Sequence, residues 1–304
     1  MARQVYPAPA LVATVIAVLG AATQAAEGPA AAPPGTGPAP ARSVRVEPDR
    51  VHPGDAFLVT VLGEGPAPSA SVTGRNLRFF PVAGGFQAVA ALPIELEPQR
   101  LAVEVTSPGA VEPLRAFAEV LEPAFPVSRL RVAPRFITPS AQQKKRMERD
   151  QEAFRRAFDR PFEPPLFQGP FSPPRDAEVR SAFGERRLFN GKRQSQHYGT
   201  DLAGDVGDPV SASNDGIVVL ARDCYASGKS LVLWHGAGLF TVYFHLSAFD
   251  VRPGDRVRRG QVVARVGQTG RVTGPHLHFG VKVFDFYVAP ESVYRLRFSG
   301  PAPP

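Results

Sequence analysis

A chain of 304 residues, 43% hydrophobic and 21% charged, carries enough apolar material for ordinary cores, and its length suits two domains with tails. Its 33 prolines and 28 glycines favour short strands and many turns over long helices. The net charge of +7 comes from a dispersed, arginine-biased composition. With no concentrated basic patch, helix-turn-helix pattern or RNA-binding motif, it argues against a nucleic-acid partner.

The first 25 residues read as an export signal. Arg3 supplies a positive charge, and residues 10–22 form a mostly apolar run too short for a comfortable membrane span. Thr23-Gln24-Ala25 places small residues where a signal peptidase reads, so cleavage is predicted after Ala25, with a retained anchor as the alternative. No other stretch could span a bilayer, which predicts a protein of the periplasm or cell envelope with no stable membrane span after signal cleavage. The single cysteine, Cys224, cannot form an internal disulfide and lies far from any lipidation position. Residues 26–42 are rich in alanine and proline, with almost no branched apolar side chains, and are expected to be a flexible leader.

Residues 43–132 alternate like short strands. Ser43-Val-Arg-Val46 opens the series, Pro53-Gly54-Asp55 makes a turn, and Phe57, Val59 and Val61 follow on one face. Closely spaced turn signals predict a small β-sandwich, and no polar constellation appears in it. Residues 133–168 are expected to be a helical and proline-rich connector. Ser140 and Gln143 fit a capping box, Pro139 suits a helix start, and Met147, Phe154 and Phe158 form one stripe. Lys144, Lys145 and Arg146 are read as a solvated face, and Pro161, Pro164 and Pro165 end the helix. From residue 169 to 298, glycine-punctuated strand patterns return, at 215–220, 230–234, 240–244, 261–266 and 276–283. No long amphipathic helix interrupts them, so the region is predicted to be mainly antiparallel β. Residues 299–304 are a tail.

Chemistry-bearing residues concentrate in that last region. In Gly274-Pro-His276-Leu-His278-Phe279 the two imidazoles lie two residues apart and share a strand face, with Leu277 turned to the other side. His197-Tyr-Gly-Thr-Asp201 supplies a second histidine and a carboxylate, with Gly199 allowing a tight backbone path. His245 follows an aromatic-rich strand and could reach the same cleft. Nitrogen and oxygen donors of these types suit a zinc site with three protein ligands and one open position. The spacing alone does not decide which histidine of the 276/278 pair binds metal. His52 and His235 are assigned structural roles.

These phrases resemble the M23 family of zinc metallopeptidases, the lysostaphin-like or LytM-like peptidoglycan endopeptidases. The likeness is carried in family order by Phe183-Gly184, His197-Tyr-Gly-Thr-Asp201, Asp215-Gly216-Ile-Val, Trp234-His-Gly-Ala-Gly238, Thr241-Val-Tyr-Phe-His-Leu-Ser247, Val251-Arg-Pro-Gly-Asp-Arg-Val257, Gly260-Gln261, Gly267-Gln-Thr-Gly270 and Thr273-Gly-Pro-His-Leu-His-Phe279. It implies a mainly β fold: an N-terminal β-sandwich module, a connector helix and a C-terminal antiparallel β-sheet metallopeptidase domain with a groove-type active site. It implies one zinc ion held by His197, Asp201 and His278, with His245 and His276 as the catalytic pair. The expected substrate is a stem or cross-link peptide of peptidoglycan, with envelope regulators as further partners. A non-enzymatic regulator that activates a cell-wall amidase, and a zinc D,D-carboxypeptidase, are the alternatives. Many members carry an acidic residue after the His-Leu-His-Phe phrase, and Gly280 stands there in this chain.

Overall fold

The computed structural model describes residues 42–123, 125–130, 139–189 and 193–300. The expected export signal, almost all of the expected leader, Thr138 and the last four residues lie outside the described residues. Among those described, no helix is long and apolar enough to cross a membrane.

Two sheets face each other in the N-terminal part. One runs Ser43–Glu47, Ala56–Leu62, Gly85–Ala91, Phe80–Val82, and the other Arg50–Val51, Leu114–Val120, Gln99–Thr106, Ser69–Val72, Arg75–Asn76. Alternation decides what lies between them. Phe57, Val59 and Val61 point inward to meet Val72, Val103, Val105 and Val120. The same strand is buried on its other face as well. Ala56 and Leu58 join Phe80, Val82 and Val89 in the apolar core of the C-terminal part. Ala56 N–H donates to Ser292 Oγ (3.0 Å) and Ala289 N–H to Gly54 O (2.8 Å), so polar groups along this contact are paired too. The two parts therefore share one continuous core.

The C-terminal part is built on a large antiparallel sheet in the order Val179–Ser181, Thr200–Leu202, Leu277–Val283, Leu239–Leu246, Gly228–Trp234, Gly216–Cys224, Arg256–Val257, with Phe286–Val288 paired to Leu277–Val283. One face carries Leu231, Leu233, Tyr243, Leu277, Phe279 and Val281 into the shared core. The other carries Val232, Trp234, Phe240, Val242 and Phe244, and the connector helix Ala141–Phe158 packs on it. Phe154 meets Phe244 edge-on at 5.6 Å and Phe158 meets Phe240 at 5.3 Å. The expected capping box is present, with Gln143 N–H on Ser140 Oγ and Ser140 N–H on Gln143 Oε1. Lys144, Lys145 and Arg146 are exposed. Asp150, about a turn beyond Arg146, is buried and holds Arg222 Nε (3.0 Å) and the Tyr225 N–H (2.8 Å), which anchors the helix on the sheet.

A third sheet joins the two parts. Val127–Leu130 pairs in parallel with Arg186–Phe189, which pairs antiparallel with Arg193–Gln196. Although Val127–Leu130 falls within the 43–132 span, it is hydrogen-bonded to the C-terminal part.

His235 has a structural role. It is fully buried, its Nδ1–H donates to Asp215 O (2.6 Å), and its Nε2 lies 2.8 Å from Thr241 Oγ1. Burial pushes its pKa down to about 4 from 6.5. A depressed histidine contributes stability that is complete above the unfolded pKa and is lost as pH falls through the folded one. Folding should therefore weaken between pH 6.5 and about 4. At about 1.36 kcal/mol per unit this amounts to roughly 3 kcal/mol. Urea midpoints of metal-free protein at pH 7 and pH 4 should show the loss, and His235→Asn should show a smaller difference between the two pH values. An equal difference would remove His235 as its source.

Candidate metal centre

His197 directly follows the Arg193–Gln196 strand, Asp201 is the middle residue of Thr200–Leu202, and His278 is the second residue of Leu277–Val283. The register places Asp201 opposite His278, and His278 opposite Phe244 on its other side. Paired residues share a sheet face, so Asp201, His278 and Phe244 form one row on the same face as the helix. The Phe244 ring lies parallel to the His278 ring at 5.3 Å and fixes its plane. Gly199 leaves the room that His278 fills: a Cβ there would stand 2.6 Å from His278 Nε2 and 2.6 Å from Phe279 O. Gly199→Ala is expected to push on both the imidazole and the Phe279 carbonyl of the paired strand, and so to weaken metal uptake. Titration with zinc against a coloured chelator checks this, and unchanged affinity would contradict it.

Three donor atoms converge. His197 Nε2 lies 3.0 Å from Asp201 Oδ1 and 3.0 Å from His278 Nδ1, and His278 Nδ1 lies 2.9 Å from Asp201 Oδ1. His197 and Asp201 are buried, and the His278 side chain is 13% exposed. Among the described residues this is the histidine, cysteine or carboxylate group that could hold a metal ion. The tautomers decide whether it fits one. His197 Nδ1 faces the Ala182 carbonyl at 3.0 Å, and a carbonyl can only accept, so the proton is on Nδ1 and Nε2 carries a lone pair. A single proton on His278 Nδ1 cannot satisfy all three mutual contacts. At least one pair of electron-rich atoms faces another at 3.0 Å, an arrangement that a central cation makes favourable. The donor set of two imidazoles and one carboxylate suits zinc.

The remaining two histidines border this cluster. His276 lies one residue before the strand, bridged to Gly267, with its Nε2 3.8 Å from Asp201 Oδ1. The Arg180 guanidinium donates to Pro275 O (3.0 Å) and steadies the turn that delivers it. His276 Nδ1–H donates to Gly274 O (3.0 Å), which leaves a lone pair on Nε2. His245 reaches the site through a β-bulge. Lys229 pairs with Leu246 and Leu231 with Tyr243, so Phe244 and His245 together oppose Ser230. His245 itself sits at φ 62°, a left-handed conformation uncommon for histidine. Unbroken alternation would send it to the core face beside Tyr243; the bulge turns it towards His276, with ring centroids 5.0 Å apart. Its Nδ1–H donates to Thr269 O (3.0 Å), again leaving Nε2 as a base.

Burial pushes the His245 pKa down to about 4, with the neighbouring His278 adding to the effect, so the ring is neutral near pH 7. Burial also lowers His278, opposed by its contact with Asp201. For Asp201, burial works upwards, but His197 and His278, where those rings carry a proton towards Oδ1 in place of a cation, outweigh it and hold the carboxyl well below the usual carboxylate range.

The structure also gathers residues that the motifs did not single out. Arg187 Nη2 donates to Asp201 Oδ2 (3.0 Å) and to Ser181 Oγ (2.7 Å), and its Nε donates to Glu185 Oε2 (3.0 Å). A serine, a glutamate and an arginine on a β-patterned stretch carry no signal of their own. His52 lies apart, with Nδ1 on Glu122 O, and Cys224 is a buried free thiol whose pKa is raised by burial and then by Asp150. Gly280 is buried on the metal-bearing face, where a Cβ would meet Val242 Cγ2 at 2.9 Å and Tyr198 O at 3.1 Å.

The peptidase family M23 model matches residues 195–290, which contain the three donors and both flanking histidines. The peptidoglycan DD-endopeptidase ShyA of Vibrio cholerae is 46% identical over 102 residues, covering 33% of this chain and 24% of that protein. The DD-carboxypeptidase/endopeptidase Mpg of Neisseria meningitidis is 42% identical over 97 residues, covering 32% of this chain and 22% of that protein. The chain thus matches about a quarter of the length of these curated relatives. A solved Pseudomonas aeruginosa chain assigned to peptidase M23 superposes with a TM-score of 0.61 at 30% identity, covering 80% of this chain and 94% of that one. That likeness takes in the N-terminal part as well as the metal-bearing sheet, and with it the chain is placed in peptidase family M23.

Proposed function

We propose that this chain is a zinc-dependent endopeptidase that cleaves peptide bonds in the stems or cross-links of bacterial peptidoglycan, working in the periplasm or cell envelope after export. The observation that carries the reading is the meeting of His197 Nε2, Asp201 Oδ1 and His278 Nδ1 within 3.0 Å, flanked by two histidines whose Nε2 atoms are left as bases. The name of ShyA, a peptidoglycan DD-endopeptidase, supports the substrate class, and that of Mpg, a DD-carboxypeptidase/endopeptidase, supports peptide-bond hydrolysis.

In this reading His197, Asp201 and His278 are the metal ligands. When bound, the ion supplies a Lewis acid and lowers the pKa of a coordinated water from 15.7 to about 7. His197 and His278 contribute neutral nitrogens, and Asp201 supplies a negative charge against the divalent cation. His245 and His276 keep their Nδ1 protons on the Thr269 and Gly274 carbonyls, so each turns Nε2 inward. Either can take the proton of the attacking water on its Nε2 and later return it to the leaving amine, and the imidazolium formed meanwhile lies beside the charge growing on the scissile carbonyl oxygen. The low pKa of His245 makes it readily give up any proton it gains. The burial of the ligands restricts water around these charges, which strengthens each interaction.

Zinc content, with mass spectrometry of products from defined cross-linked muropeptides, tests the proposal. One zinc per chain and opened cross-links are expected. Release of terminal D-Ala with cross-links intact would point instead to a D,D-carboxypeptidase, one of the two activities in the Mpg name. A metal-free chain without cleavage would favour an amidase regulator.

A further inference from the structure

We infer that Arg187 is a positioning residue for the metal centre, which holds Asp201 so that the carboxylate offers one oxygen to the ion; this deepens the proposed function and rests on it. The two oxygens of Asp201 have different surroundings. Oδ1 faces His197 Nε2, His278 Nδ1 and, at 3.8 Å, His276 Nε2. Oδ2 is occupied by the Arg187 guanidinium at 3.0 Å. A carboxylate free to rotate would bring both oxygens to a cation and take up a coordination position that water or substrate needs.

Arg187 is itself firmly held. It lies on the central strand of the three-stranded sheet, opposite Ser128 on one side and Ser195 on the other. Its Nε is fixed by Glu185, which in turn accepts from Ser128 Oγ and Ser181 Oγ. Glu185 keeps its negative charge. Burial works to raise its pKa, but the bonds from Ser128, Ser181 and Arg187 together lower it. The pair therefore places a guanidinium beside a metal ligand while Glu185 offsets the positive charge that would otherwise repel the cation. Arg187 also reaches the second ligand, because its Nη2 donates to Ser181 Oγ, which stands 3.1 Å from His197 Nδ1. One side chain thus orients the outer atoms of two ligands at once. The planar fork is needed for this, and a lysine cannot reproduce it.

The sign of the effect separates positioning from simple charge. If Arg187 acted only as a nearby positive charge, its removal would tighten zinc binding. If it positions Asp201, Arg187→Ala should weaken zinc binding, by about 10–100-fold as for other outer partners of metal ligands. Competition with a fluorescent chelator on the full chain reads this directly. In the cobalt-substituted protein, the visible bands should weaken and shift as Asp201 becomes free to bind through both oxygens. Arg187→Lys, which keeps the charge and loses the fork, should fall between wild type and alanine, and it decides the matter if the alanine variant does not fold. Equal or tighter zinc binding with an unchanged cobalt spectrum would overturn the inference while leaving the metal centre standing. A wild-type chain that takes up no zinc would overturn the proposed function first, and this inference with it.

Discussion

Replacing His278 with alanine is expected to give a chain that holds no stoichiometric zinc and has no measurable turnover, and His197→Ala and Asp201→Asn should do the same. The three donors meet within 3.0 Å, so no remaining pair can close the site, and His276, whose Nε2 is 3.8 Å from Asp201 Oδ1, stands outside that triangle. Losing the ion returns the water to a pKa near 15.7 from about 7, a change larger than any proton-transfer residue supplies, so activity should fall by more than about 10⁴-fold. Elemental analysis and product mass spectrometry check the two halves separately. Thermal unfolding adds a third measure. Zinc should raise the melting temperature of the wild type, because binding to the folded state alone stabilises it, and should leave the three variants unmoved. A His278→Ala chain with one tightly held zinc would show that the donors were wrongly assigned.

His276→Ala and His245→Ala should fail differently. Both side chains lie outside the donor triangle, so zinc content should stay near one per chain. Turnover should fall by roughly 10²–10⁴-fold, as for loss of a general acid–base. His245→Ala carries an additional effect, since φ 62° suits alanine no better than histidine and the Nδ1–H bond to Thr269 O is lost. His245→Asn tolerates that backbone better and should restore the fold without the activity. Either variant retaining full turnover would remove the residue from the proton pathway; either losing zinc would move it into the metal shell.

Strand alternation was enough to place His276 and His278 on one face with Leu277 in the core, because a two-residue period leaves no other arrangement once Leu277 is buried. The helix cap at Ser140 and Gln143 was equally local, requiring two side chains three residues apart and nothing beyond them. The inward row of Phe57, Val59 and Val61 followed from the same alternation.

What the sequence determined by itself is therefore the local part: the period of each strand, the turns between them, and which residue types could bind a metal. The tertiary structure decided which of these atoms meet. His245 faces the site only because a bulge opposite Ser230 reverses its alternation, and a non-glycine residue at positive φ leaves no mark on the sequence. Ala56 and Leu58 are buried because the two parts share a core, and Asp150 is buried because Arg222 and the Tyr225 N–H lie beneath it. Arg187 meets Asp201 across 14 residues through a hairpin aligned by Val127–Leu130. Burial and long-range pairing depend on segments distant in the chain, so their contribution exists only once the chain has folded around them.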